Sequence, residues 1–553
     1  MSELLPRGGG GAFRAGPSPS AARARASALQ ARTTFRDLLR PGFAPPAPEA
    51  VAAGLVAVGI CAYLLFQRHA FTGNHGTDDG VYLAPALWLV HGVLPYRDYA
   101  FVQPPGIAWL MVPLDLIGNT RDAMVAARVV TALVAGLNAS LAASIVRAYG
   151  RAAMLFAGLG LALLPVAVAA DHTLTLDPYL VLFCLLGTLA LFRHGELATP
   201  PRILVAGALF GFAGAVKGWA LFPVVAALGV CIPRWRSAGR WFAAGLATGF
   251  GLPSLPFLLP APGAFVHDVV VAQLHRHTTG QGYHALSQRL ALMLGLGSMP
   301  AEIPGKANLA LILTVVVTAF VVVAQCLPAR RITPLELFLL GGTAVIVLGM
   351  LFVVKEFYAY YAYLPAAFGA MLIGVCLGRL TDEARAAFAR VGGSIGRFAG
   401  LALSLGLPVG LVVAGAFAVR GDLAYARHVV RGAFDPQPTL TVQIPKGSCV
   451  VFDQVGTLID GNRLFSTKPA CPVLVDTFGL WLTDDGGVQP LSHPASAAFV
   501  ARWRSWLERA DFAVLTYPGS AYIPWTPGLS SWFAAHYRLT ATSPGVYLYR
   551  HVP

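Results

Sequence analysis

Two adjacent carboxylates, Asp78 and Asp79, stand in the run Thr77-Asp78-Asp79-Gly80-Val81-Tyr82, just past the first membrane-length apolar segment of the sequence. Like charges side by side near a bilayer are costly unless water, a cation or a reacting substrate compensates them, so the pair is a candidate for proton transfer. Other chemistry-bearing groups recur where apolar runs break. Arg97, Asp98 and Gln103 lie in PYRDYAFVQPPG (95–106), His172 and Asp177 in DHTLTLDP (171–178), and Lys217 in AVKGWALFP (215–223). His275, Arg276 and His277 follow in AQLHRHTTG (272–280), then Lys355, Tyr358, Tyr360 and Tyr361 in KEFYAYYAYLP (355–365). Carboxylates at one end of a pocket and Lys or Arg at the other suit a hydroxyl nucleophile facing a phosphate leaving group.

The elements that must position these groups are membrane spans. Of 553 residues, 56% are hydrophobic and 12% charged, and the mean hydropathy is +0.64, which excludes an ordinary soluble globule. Apolar stretches near 50–67, 123–146, 152–170, 178–192, 203–216, 219–232, 241–260, 307–326, 335–354, 358–378 and 399–419 predict about eleven transmembrane helices. With the N-terminus in the cytoplasm, Arg147/Arg151, Arg193/Arg202, Arg234/Arg236/Arg240, Arg330/Arg331 and Arg379/Arg385/Arg390/Arg397 all fall inside, as the positive-inside rule requires. The same parity puts the polar clusters on the outer face, including a first outer loop over 68–122 in which Leu83, Ala86, Leu87 and Val90 predict an amphipathic interfacial helix. Residues 1–48, rich in Gly, Ala, Pro, Ser and Arg, read as a disordered cytoplasmic tail, and 49–420 as the transmembrane catalytic domain.

Residues 421–553 read as a small extracytoplasmic α/β domain, with strands at 448–453, 471–475, 512–516 and 546–550 and a helix at 495–508. Cys449 and Cys471 lie in this outer segment and are expected to form a disulfide. The net charge of +14 gathers in short topology clusters with no basic stripe interleaved with aromatics, so no nucleic-acid partner is expected.

The ordered set DDGVY (78–82), PYRDYAFVQPPG, TLDPYL (175–180), AVKGWALFP and YAYYAYLPAAF (358–368) resembles the GT-C membrane glycosyltransferases, specifically the bacterial relatives of protein O-mannosyltransferases and aminoarabinose transferases. The resemblance runs through roughly 50–377. It implies an inverting transferase of the bacterial plasma membrane. A sugar would pass from a polyprenyl-phosphate donor to an acceptor hydroxyl of an envelope glycan, lipid or protein on the outer face. Asp78 would be the catalytic base, with Asp79 in support. Tyr82, Asp98, Gln103, Asp177, Tyr360 and Tyr361 would bind sugar or acceptor. Arg276, Lys217, Lys355 and Arg97 would hold the donor phosphate. Gln103 departs from the family pattern, which often has Lys before the Pro-Pro pair, leaving Arg97 or Arg276 to take that role. The scheme requires no metal; a divalent ion, if bound, would take Asp78, Asp79 and Asp177 and suit Mg or Mn better than Zn.

Plainer roles stand beside these. Asp98 would pair with Arg97 on the loop surface, Asp177 would cap the helix that follows, Lys217 would snorkel to the interface, and His275 and His277 would be solvated. A secondary transporter or lipid flippase is the alternative function, but it calls for ionisable groups near the midplane and a repeated helical plan.

Overall fold

The structure, a computed structural model, describes residues 47–67, 69–74, 77–276, 282–297, 303–326, 331–391, 426–484 and 495–552, with 406, 410, 413, 420–421 and 423–424 as isolated positions. The described residues form one compact unit. The chain is mostly helical. Its principal helices are α1 (Pro48–Leu65), α2 (Thr77–Val90), α3 (Thr120–Ile145), α4 (Arg151–Ala162), α5 (Pro165–Asp171), α6 (Leu176–Leu191), α7 (Pro200–Val216), α8 (Leu221–Cys231), α9 (Arg240–Leu258), α10 (Ala307–Cys326), α11 (Pro334–Leu348) and α12 (Tyr363–Val391).

Among the described residues, six helical stretches are long and apolar enough to cross a membrane, seven if the pair α4 and α5, bent by 56°, counts as one. This is a multi-pass membrane protein. The expected span at 152–170 is broken because Pro165 cannot donate a backbone N–H to the preceding turn. Helices α6 and α7 are apolar but shorter, at 16 and 17 residues, and the expected helix at 399–419 lies almost wholly outside the described residues.

Two small-residue motifs set the packing of α7 on α9. A Cβ on Gly207 or Gly211 would overlap the backbone of Phe242 or Leu246, and one on Gly245 or Gly249 would overlap that of Leu204 or Ala208. These GxxxG faces let the two backbones meet, and the order of the contacts makes the helices parallel. The segment between them, which contains α8 and the turns at 232–239, therefore runs back alongside to the start of α9.

The C-terminal region adds α13 (Val455–Asp460), α14 (Thr477–Asp484), α15 (Ala497–Arg509) and a four-stranded sheet of β1 (Val450–Phe452), β2 (Phe512–Leu515), β3 (Tyr537–Ser543) and β4 (Val546–His551), in the order β1-β2-β4-β3. Strands β1 and β2 are parallel and the other pairings antiparallel. The run 471–475, expected as a strand, is not one: Pro472 lacks an N–H, and Val473, Leu474 and Val475 line a cavity instead. Strand β3, at the sheet edge, was not expected. Cys449 and Cys471 form a disulfide with a Cα–Cα separation of 5.4 Å.

Helix α2 does not lie free along an interface. Residues 81–87 are all buried, and one apolar core runs from Leu83, Phe101 and Met124 into Val451, Trp481, Phe499 and Leu548 of the C-terminal region. Polar ties run alongside it: Arg121 forks onto Asp435 at 2.7 and 2.8 Å, Thr120 Oγ1 donates to the Ile459 carbonyl at 2.7 Å, and Asn74 Nδ2 donates to Thr457 Oγ1 at 2.9 Å. At the centre of this seam α2 and α13 touch backbone to backbone, and a Cβ on Gly80 would overlap the Gly456 amide. Gly80→Ala should therefore force the two helices apart at a cost of about 1–3 kcal/mol. A thermal melt of the purified protein should show the loss, and an unchanged melting temperature would refute the contact.

Candidate active site

Helix α2 begins at the carboxylate pair and sends its members in different directions. Asp79 is buried, and its Oδ2 accepts from Arg128 Nε at 3.0 Å and Nη2 at 2.9 Å. Arg128, fully buried in the middle of α3, also donates to the Phe71 carbonyl at 2.7 Å, and Thr173 Oγ1 donates to Asp79 Oδ1. Both Asp79 oxygens are thus engaged, which ties the start of α2 to α3, and Asp79 also borders the cavity that Asp78 lines. Asp460 of α13 lies 3.9 Å from the same guanidinium. Burial pushes its carboxyl up to about 7 against the pull of Arg128.

Asp78 is only half-buried and lines a cavity of about 440 Å³, together with Tyr82, Gln103, His172, Arg276, Tyr358, Tyr360 and Tyr361. Burial raises its carboxyl above the ordinary carboxylate range, while a hydrogen bond from the Tyr360 hydroxyl and the charge of Lys217 act the other way. Tyr360 and Tyr361 come from one 3₁₀ turn, Ala359–Ala362, and Tyr358 stands just before it. Three residues per turn set successive side chains about 120° apart. Tyr360 therefore reaches Asp78, while Tyr361 hydrogen-bonds Arg276.

Arg276 is the cation of the cavity. It follows the short helix Ala272–His275, is 8% exposed, and donates through Nη2 to Tyr358 Oη at 3.1 Å. Its guanidinium lies 5.6 Å from the Tyr358 ring centroid and 5.2 Å from that of Phe478. Its Nε has no hydrogen-bond partner among the described residues. A buried guanidinium donor left unmade next to a cavity suits an anionic oxygen of a bound molecule.

Lys217 and Asp177 belong to the floor behind the tyrosines. Lys217 sits at the helix break after α7 in extended conformation (φ −156°, ψ 132°). Its Nζ donates to both Asp177 oxygens, at 2.9 and 2.7 Å, and lies 4.0 Å from the Tyr361 ring centroid. Neither residue lines the cavity. The expected phosphate role of Lys217 and sugar role of Asp177 give way to a buried ion pair that supports the tyrosine turn. Arg97 and Asp98 form an exposed pair at 2.7 Å away from this cavity, and Lys355 is exposed with its ammonium on the Leu274 carbonyl at 2.9 Å. All three are displaced from the expected site because nearer partners satisfy them. His275 is exposed and bonds the Val271 carbonyl, whereas His277 lies outside the described residues.

Sequence reasoning missed Arg128, although a lone arginine in an apolar span demands a partner. It also missed Asp476, Phe478 and Tyr522, which the C-terminal region brings to the cavity wall. Asp476 accepts from the Gly479 amide at 2.7 Å, and burial pushes its carboxyl up to about 6. The three carboxylates proposed for a divalent ion do not fit one. Asp79 faces Arg128, Asp177 faces Lys217, and no group of three His, Cys, Asp or Glu among the described residues could hold a metal.

The fold has solved counterparts. ArnT from Cupriavidus metallidurans bound to undecaprenyl phosphate superposes with a TM-score of 0.56 at 16% identity, over 90% of this chain and 97% of that one. The chain has the ArnT fold. The apo state of the same protein matches with a TM-score of 0.54 at 17% identity, over the same shares of the two chains. Residues 102–260 match the family described as dolichyl-phosphate-mannose-protein mannosyltransferase. No curated sequence matches closely enough to add a relative. The GT-C resemblance read from the motifs is borne out at the level of the fold.

The anchor can be tested apart from activity. Removing one partner of a buried ion pair costs about 3–5 kcal/mol, because the other charge is left uncompensated. Arg128→Ala should lower the melting temperature far more than Arg97→Ala, whose exposed pair contributes little. Equal melting temperatures for the two variants would refute the anchoring role.

Proposed function

We propose that the chain transfers a sugar from a polyprenyl-phosphate donor to an acceptor hydroxyl in the cavity bounded by Asp78 and Arg276. The observation that carries this reading is one cavity in which a half-buried carboxylate and a buried guanidinium with an unmade donor are held by neighbouring tyrosines. Asp78 takes the acceptor proton as the hydroxyl oxygen bonds to the anomeric carbon. The bond from that carbon to the phosphate oxygen breaks, and its electron pair leaves on the phosphate. Arg276 meets the charge that develops there, assisted by the Tyr358 and Tyr361 hydroxyls. A single displacement inverts the anomeric configuration.

The undecaprenyl phosphate of the ArnT structure and the dolichyl-phosphate-mannose description of the matching family support a lipid-phosphate donor. The transporter or flippase alternative gains no support from either comparison. No divalent ion enters this scheme, since Arg276 supplies the charge that Mg or Mn would bring. The finer topology belongs to the same reading: about eleven spans in a bacterial plasma membrane, a cytoplasmic tail over 1–48, and residues 421–553 on the outer side as an α/β domain that helps wall the cavity. The parallel course of α7 and α9 supports a separate return span between them.

Incubating the purified protein with a panel of radiolabelled polyprenyl-phosphate sugars and envelope acceptors tests the reading. Asp78→Asn should lower transfer by about 10²–10⁴-fold while leaving undecaprenyl phosphate binding intact. Arg276→Ala should weaken that binding by about tenfold or more. Transfer by Asp78→Asn at the wild-type rate would sink the catalytic assignment. The base acts only when ionised, so activity should rise with pH across an acid limb lying above the ordinary carboxylate range, in the direction of the Asp78 shift. A limb at the ordinary range would contradict its burial.

A further inference from the structure

A second cavity, also about 440 Å³, lies where the first outer loop, the segment around His267 and the C-terminal region meet. Tyr99, Asp268, Asp476, Arg502 and Trp506 line it, together with the exposed Arg97–Asp98 pair. Three observations give it the character of a site. The Tyr99 hydroxyl is buried, with the residue 8% exposed, and has no hydrogen-bond partner among the described residues, an arrangement that costs free energy unless a ligand completes it. The half-buried indole of Trp506 offers a flat apolar surface beside polar groups. Asp476 lines this cavity and the Asp78 cavity alike; one of its oxygens is held by Gly479 and the other has no hydrogen bond among the described residues.

The chemistry of the lining selects a ligand class. Asp98, Asp268 and Asp476 outnumber Arg97 and Arg502, and Asp98 already neutralises Arg97, so no excess positive charge is left for a second phosphate. A sugar ring has an apolar C–H face that stacks on an aromatic side chain and a rim of hydroxyls that both donate to carboxylates and accept from Tyr O–H or Arg N–H groups. We propose that this second cavity holds the carbohydrate part of the acceptor, and that Asp476, common to both cavities, orients the reacting hydroxyl toward Asp78. The proposal rests on the glycosyl-transfer reading and adds the class of acceptor and the surface that selects it. Arg97 and Asp98, absent from the donor cavity, find a place at the acceptor one.

The test uses the full-length protein in detergent and a panel of mono- and trisaccharides of mannose, glucose, galactose and arabinose, each free and coupled to a short lipid. Saturation-transfer NMR should detect at least one of them. Tyr99→Phe, which removes a single oxygen, and Trp506→Ala should each weaken its binding by about tenfold, while undecaprenyl phosphate binding stays at the wild-type value. In turnover, both variants should raise the acceptor KM with little change in kcat. Binding of the free saccharide marks a glycan acceptor, and binding of the lipid-coupled form alone marks a glycolipid; either supports the subsite. No saccharide binding by the wild-type protein, or binding indifferent to both variants, overturns it. Variant-sensitive saccharide binding without any transfer would instead sink the glycosyl-transfer reading and leave the subsite standing.

Discussion

The ion pair between Asp79 and Arg128 is the constraint on which the rest of the structure depends. A fully buried guanidinium in the middle of an apolar helix can persist only if its donors are satisfied, and here a carboxylate and the Phe71 carbonyl satisfy them. That requirement fixes the start of α2 against α3. With α2 fixed, Asp78 has one direction left, into the cavity. Asp460 reaches the same arginine from α13, so the C-terminal region is tied to the element that carries the proposed base.

A second buried pair does the same for the opposite wall. Lys217 and Asp177 neutralise each other behind the tyrosine turn, and the lysine ammonium faces the Tyr361 ring. Charges that would be expensive singly become supports when paired. Arg276 keeps an Nε donor without a partner among the described residues, and it and Asp78 both border the cavity.

Much of this organisation is legible in the sequence. The span positions follow from hydropathy, and the outer clustering of polar groups follows from where the apolar runs break. Pro165 carried the signal for the kink, and the GALFG and GLATG motifs at 207–211 and 245–249 carried the signal for helix packing, although span counting alone uses neither. The pairings were hidden for a different reason. Asp177 meets Lys217 across 40 residues and Asp79 meets Arg128 across 49, and which charge satisfies which is decided by packing that no local pattern encodes. Asp476, Phe478 and Tyr522 lie still further along the chain, in a region that reads as a separate domain because its strands alternate and its spans are absent. Edge strand β3 escaped because its exposed face is polar, as unpaired edges tend to be.

The 3₁₀ turn at Ala359–Ala362 acts as a fixed gauge. Because adjacent side chains of one four-residue turn meet Asp78 on one side and Arg276 on the other, the spacing between the proposed base and the proposed phosphate-binding cation is tied to backbone geometry at that turn. On the proposed reading, differences among substrates are accommodated elsewhere, along the lipid chain and the acceptor, while the interval across the anomeric carbon stays constant. One residue inserted between Ala359 and Tyr360 would turn both tyrosines about the turn axis by roughly 120°, drawing Tyr360 from Asp78 and Tyr361 from Arg276 together.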